Sequence, residues 1–132
     1  MIELMNAAHK RAIAAARAAD DKSGHDIVVL DVGDIISIVE TFVIVSASNT
    51  RAVNAVVDNI ELVLREKHDV KPRAYEGRDT STWVLLDYSD MIVHVFLDET
   101  REYYDLERLW ADADRIEWRT KTRQARDIPA TS

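Results

Sequence analysis

Apolar residues near the start of the chain recur every three or four positions, and Ile2, Met5, Ala12, Ile13 and Ala16 share one helical stripe. The spacing predicts a first helix ending near Ser23-Gly24, with Gly24 in the left-handed conformation that closes helices. The pattern then becomes continuous and β-branched in DIVVLDV (26–32), a buried strand. GDIISIVET (33–41) reads as a connector with room for one helical turn, and FVIVSAS (42–48) as a second strand. Ser48, Asn49 and Thr50 are all good N-caps for a long helix over about 50–68. In that helix Val53, Val56, Val57, Ile60, Val63 and Leu64 form the apolar face, and Pro72 prevents continuation. A short strand is expected at 73–76, ended by Gly77, followed by strands at 82–88 and 91–97. DETREYYDLERLWADA (98–113) predicts two short helices, with Asp98 as cap and Leu106, Leu109 and Trp110 as the buried side. The order αββαβββα predicts a single α/β domain over 1–116, a mixed sheet of about five strands flanked by helices. Past residue 117 the apolar period fades, so 117–132 reads as a basic, flexible C-terminal tail.

Composition narrows the function. The 132 residues are 47% hydrophobic, enough for one core, and contain no cysteine, so disulfides and thiolate metal sites are excluded. No apolar run approaches the roughly 20 residues needed to cross a bilayer. The Ala-rich start carries Lys10, Arg11 and Arg17, as targeting peptides do, but Glu3, Asp20, Asp21 and the helical spacing favour a folded helix. The expected location is the cytoplasm. The net charge of −7 is uneven: 76–114 holds 11 acidic and 3 basic side chains, whereas 115–132 holds 2 and 5. An acidic middle segment repels phosphate, so direct nucleic-acid binding there is disfavoured. It is either a solvated acidic surface or a match for a basic protein.

Catalytic chemistry finds few footholds. Asp87 and Asp90 look like an acid pair, but they flank a turn at Ser89-Asp90 and point apart, and Asp is common in turns for backbone reasons. His9, His25, His68 and His94 lack helical metal-site spacing. Three glycines leave no phosphate-cradling loop, and no G-x-S-x-G elbow surrounds Ser46 or Ser48. No cofactor is called for.

The hairpin 82–97 divides by parity. With a short loop, Val84, Leu86, Tyr88, Met91, Val93 and Val95 form one face, which belongs against core helices. Trp83, Leu85, Asp87, Ile92, His94 and Phe96 form the other, with Asp87 and His94 as diagonal neighbours close enough to pair. A Trp-bearing mixed face suits protein binding. The competing reading is a satisfied core histidine beneath the terminal helices, with Trp83 as simple packing.

The blocks TFVIVSASNTRAV, EGRDTSTWVLLDYSDMIVHVF and ETREYYDLERLWADA resemble the signature of the Iojap-like ribosomal silencing factors (RsfS), over about residues 2–114. The resemblance implies a nucleotidyltransferase-like α/β fold without catalytic carboxylates. It implies binding to ribosomal protein L-fourteen of the large ribosomal subunit, a steric block to small-subunit joining, and reduced translation when nutrients are short. Some relatives act in ribosome assembly in organelles. The residues it marks for partner binding are Trp83, Asp87, Tyr88, Asp90, His94, Glu99, Arg101, Tyr104 and Leu106. Trp83 would anchor, Asp87 and Asp90 would meet Lys or Arg, and His94 would orient Asp87 or bond across. Ser89 stands where the family usually has Gly, and Thr41 where an aromatic is frequent. The tail falls outside the common core. Two alternatives remain: a metal-dependent nucleotidyltransferase-like enzyme using Asp87 and Asp90, and a self-associating adaptor unrelated to ribosomes. If Trp83, Leu85, Ile92 and Phe96 are left open, a homodimer is expected when the protein is free. The opposing expectation is a monomer whose own terminal helices cover that face.

Overall fold

The computed structural model describes residues 7–36 and 38–119. Helix α1 (Ala7–Asp21) leads into β1 (His25–Asp31) and β2 (Thr41–Ala47), followed by the long α2 (Thr50–His68). Then come β3 (Ala74–Glu76), β4 (Trp83–Asp87), β5 (Met91–Leu97), α3 (Asp98–Tyr104), α4 (Leu106–Leu109) and the two-residue β6 (Asp114–Arg115). Among the described residues the sheet has six strands, in the order β3-β4-β5-β2-β1-β6. Only β2 and β5 run parallel; the other neighbours are antiparallel. The mixed α/β domain is therefore the expected one. The sixth strand is additional, formed where Asp114 and Arg115 pair with Asp31 and Leu30.

Side chains alternate cleanly across the sheet. Val29, Val43, Val45, Val84, Leu86, Met91, Val93 and Val95 face α1 and α2 in the larger core. Val28, Leu30, Phe42, Ile44 and Phe96 face the opposite way into a smaller core, against which Leu106 and Trp110 pack. The Ala-rich stripe of α1 explains the close fit of the helix layer: Ala12, Ala15, Ala16 and Ala19 are fully buried against it. Small side chains let helices approach without voids.

Local signals act as physical chemistry directs, with corrections. Asn49 is the N-cap of α2, its Oδ1 accepting from the Ala52 N–H at 2.8 Å. At the end of α1 Ser23, not Gly24, takes the left-handed conformation, at φ 68°. Gly24 is needed for closeness instead: a Cβ there would lie 2.8 Å from both the Ala19 carbonyl and a Val45 methyl. Gly24 N–H donates to Ala19 and Ser23 N–H to Asp20, the paired closure of a Schellman end. Asp98 is not a cap: Leu97 holds that position, and the Asp98 carboxylate meets His25 Nε2 at 2.7 Å. Leu109 is 73% exposed, so the buried side of α4 is carried by Leu106 and Trp110.

The core also reaches past the expected boundary at 116. Trp118 is buried in the larger core. Its indole N–H donates to the Ile27 carbonyl, and its own carbonyl accepts from Arg17 of α1. Apolar periodicity could not find this residue, since a lone Trp has no period. Ile2, Met5 and the tail beyond 119 lie outside the described residues.

Candidate functional site

The β4–β5 hairpin turns through Ser89-Asp90, with Trp83 opposite Phe96, Leu85 opposite His94 and Asp87 opposite Ile92. Tyr88 N–H donates to the Met91 carbonyl, and Asp90 N–H donates back to Tyr88 across Ser89 at φ 78°. That positive φ is one that a Gly would adopt without strain. Here Asp87 Oδ1 helps hold the turn by accepting the Ser89 N–H at 2.8 Å.

The smaller-core face of this hairpin is aromatic. Trp83 Nε1–H donates to His94 Nδ1 at 3.1 Å, so neutral His94 carries its proton on Nε2. Phe42 meets the His94 ring edge-to-face at 5.1 Å and Trp110 at 5.3 Å. Trp83 in turn packs on Phe96 at 4.8 Å and Tyr104 at 4.7 Å. Burial holds the His94 pKa down to about 4, because no water remains to solvate an imidazolium. Its Nε2 is enclosed without a hydrogen-bond partner. Trp83, Leu85, Asp87 and Ile92 remain half-buried on this side, so helix coverage stops short of β4.

The nine residues marked by the resemblance divide into groups. Trp83, Asp87 and His94 share the face, with Glu99 and Tyr104 on the adjoining α3. Leu106 lies beneath it, packed on the smaller core. Asp87 and His94 do not pair: Asp87 accepts from Arg73 Nε at 3.1 Å, while His94 is taken by Trp83. Tyr88 points the other way, into the larger core, and burial, reinforced by Glu61, raises its pKa well above the ordinary tyrosine value. Asp90 pairs with Arg11 of α1. Arg101 is 8% exposed and holds both Glu107 carboxylate oxygens through Nε and Nη2 while Nη1 donates to Ser46 Oγ at 2.8 Å. Tyr88 and Arg101 are thus committed inside the molecule, while Asp90, its side chain 35% exposed, is tied to α1 away from the Trp83 face. Phe96 is fully buried, so the expected open apolar patch loses that member to α3 and α4. Sequence reasoning passed over Tyr103, which is 81% exposed beside Tyr104. Its signal was an aromatic residue with no place in the helical stripe.

The carboxylates required by the metal-dependent alternative do not converge, since Asp87 and Asp90 have partners on opposite sides of the sheet. Among the described residues no group of three or more His, Asp or Glu is arranged to hold a metal. A recess of about 760 Å³ lies between the start of β1, the carboxyl ends of β2 and β5, and α3. Its charges are largely answered from within, by His25–Asp98 and by Arg101–Glu107. Among the described residues no helix is long and apolar enough to cross a membrane.

Comparison with known proteins identifies the lineage. The family model described as "Ribosomal silencing factor during starvation" matches residues 5–132, including the segment set aside above as a tail outside the common core. The ribosomal silencing factor RsfS of Halalkalibacterium halodurans is 35% identical over 103 residues, covering 78% of this chain and 87% of that protein. The RsfS of Bacillus subtilis is 37% identical over 99 residues, covering 75% and 83%. A crystal structure of a Chromobacterium violaceum protein superposes with a TM-score of 0.74 at 32% identity, covering 77% of this chain and 84% of that one. The chain belongs to the ribosomal silencing factor family.

Proposed function

We propose that this protein docks on the large ribosomal subunit through ribosomal protein L-fourteen and, by occupying that place, keeps the small subunit from joining. Translation would fall as a result when nutrients are scarce, and the site of action would be the cytoplasm. The observation that carries this reading is the uncovered β4–β5 face beside α3. It offers half-buried Trp83, Leu85, Asp87 and Ile92 in the segment where acids outnumber bases 11 to 3. Apolar anchors within an acidic surround suit a basic protein partner and repel bare nucleic acid. Family membership names the class of partner. The action is steric: no bond of the ribosome is made or broken.

Asp87 is the acid best placed for exchange. Its present partner Arg73 has a side chain 69% exposed, and exposed pairs contribute only about 0–1 kcal/mol. A partner cation could displace Arg73 at little cost. When the protein is free, Ile35, Ile38 and Leu109, at 48%, 80% and 73% exposure, add apolar area that a second copy could cover, and a homodimer is the expected resting form.

The experiment is sedimentation. Saturating protein added to purified subunits should shift the profile toward free large and small subunits, with the protein travelling on the large one. Normal formation of joined ribosomes at saturation would refute the proposal.

A further inference from the structure

Helix α3 ends in two adjacent tyrosines whose environment is unlike that of the other aromatics. Tyr103 and Tyr104 stand at 86° to one another with centroids 5.0 Å apart. Tyr104 continues onto Trp83 at 4.7 Å. Together with Thr82, Glu99 and Thr100 they bound an open notch of about 350 Å³. Helical spacing builds it: Glu99 and Tyr103, and Thr100 and Tyr104, are each four apart and lie on common faces of α3.

The chemistry of the lining is one-sided. Glu99 is its one charged side chain, and no Lys, Arg or His takes part. The Trp83 N–H is already spent on His94, so what Trp83 brings is ring surface rather than a donor. An anion would find no cation here. A purely apolar group would strand Glu99 and the threonine hydroxyls. A cation finds aromatic π-clouds, which attract positive charge, and a carboxylate to pair with. Tyr103 at 81% and Tyr104 at 47% exposure are held open in the free protein.

We propose that this notch receives an arginine side chain of the protein partner, its planar guanidinium stacked on the tyrosine corner and paired with Glu99. Arginine is preferred to lysine because its flat, weakly hydrated head can stack and bond a carboxylate through two N–H groups at once. The inference rests on the ribosomal reading for the identity of the partner but not for the chemistry of the notch.

Two measurements separate those layers. First, the protein is titrated with N-acetyl-arginine amide and, separately, N-acetyl-lysine amide while the aromatic resonances of Tyr103, Tyr104 and Trp83 are followed by NMR. The arginine probe should shift them, the lysine probe should do so less, and Tyr103→Leu or Glu99→Gln should abolish the response. No response to arginine, or an equal response to lysine, overturns the proposal. Second, large-subunit binding is measured for the parent, Tyr103→Phe, Tyr103→Leu and Glu99→Gln. Cation–π contacts of this kind predict a loss of about 3- to 30-fold for Tyr103→Leu, with Tyr103→Phe retaining affinity because the ring remains. Parental affinity in Tyr103→Leu overturns the notch while leaving the ribosomal reading in place. A parent that does not bind large subunits defeats the ribosomal reading instead, and the arginine titration still decides the notch. Tyr103 is a surface residue, so the far-UV spectra of its variants should match the parent.

Discussion

Acidification should loosen this protein through one side chain. His94 is buried, its Nδ1 accepts from Trp83, and its pKa lies at about 4 rather than the ordinary 6.5. The unfolded chain therefore takes up the proton before the folded one does. The contribution of His94 is fully present above pH 6.5 and is lost progressively as pH falls toward 4. The gap between those two values corresponds to about 3 kcal/mol at the low end, and to about 2 kcal/mol by pH 5. A domain stable by only about 5–15 kcal/mol would register either change. Protonation would also turn Nδ1 into a donor aimed at the Trp83 N–H, freeing the half-buried indole. The assay is urea unfolding at pH 7, 6 and 5 for the parent and for His94→Phe. Every other ionisable group is common to the two proteins and cancels in the difference. The parent should lose about 2 kcal/mol more than the variant between pH 7 and 5. Parallel pH dependence of the two, or an NMR titration of His94 centred near 6.5, would refute the reasoning.

Thr41 is fully buried with its hydroxyl unpartnered, so Thr41→Val should raise stability by about 1 kcal/mol in thermal melts. An unchanged or lower melting temperature would mean that the hydroxyl is satisfied. Asp87 and Asp90 should separate by role. Asp87→Asn keeps the turn hydrogen bond to Ser89 and should cost about 0–1 kcal/mol of stability while weakening large-subunit binding. Asp90→Asn strips the part-buried Arg11 of its charge partner and should cost about 1–3 kcal/mol by urea unfolding; the reverse order would contradict the facing assigned to the two acids. Trp118→Ala should cost about 3–5 kcal/mol, and a melt like the parent's would return that residue to a tail.

What was legible in the sequence follows physical periodicity. Strands β1, β2, β4 and β5 announced themselves through β-branched runs, and the parity of 82–97 assigned Val84, Leu86, Met91, Val93 and Val95 to the helix-covered face. Helix α2 was readable because 19 residues give several turns of apolar repeat and a good N-cap. Illegible features were set by partners far away in sequence. Arg101 looks like a surface cation in DETREYY, but Ser46 and Glu107 close around it. Tyr88 had two conflicting readings: the resemblance marked it for partner binding, whereas parity placed it against the core helices, and it lies in that core. Trp118 and β6 depend on pairing with β1, which no local pattern encodes. Within the hairpin that the resemblance marked, buried residues such as Tyr88 and His94 are mixed with half-buried ones such as Trp83 and Asp87.

That mixture has a physical basis in the hairpin itself. Strands β4 and β5 carry two faces with different tasks, and alternation lets one short segment serve both. One face is sealed by α1 and α2, so each large-to-small change there would leave a cavity costing about 2–5 kcal/mol. The other face is covered over Phe42 and Phe96 by Leu106 and Trp110 but left half-open over Trp83, Leu85 and Ile92. His94 lies where these regimes meet. It belongs to the buried layer by exposure, at 6%, and to the open layer through its bond to Trp83. A neutral imidazole can fix the orientation of an indole in a way that an aliphatic residue cannot, since it supplies an acceptor inside an apolar layer. The half-open indole is then already oriented, which would lower the entropic cost of docking a partner there. The same arrangement makes the orientation of Trp83 dependent on His94 staying neutral, so the order of the half-open face and the acid sensitivity of the fold have a common origin.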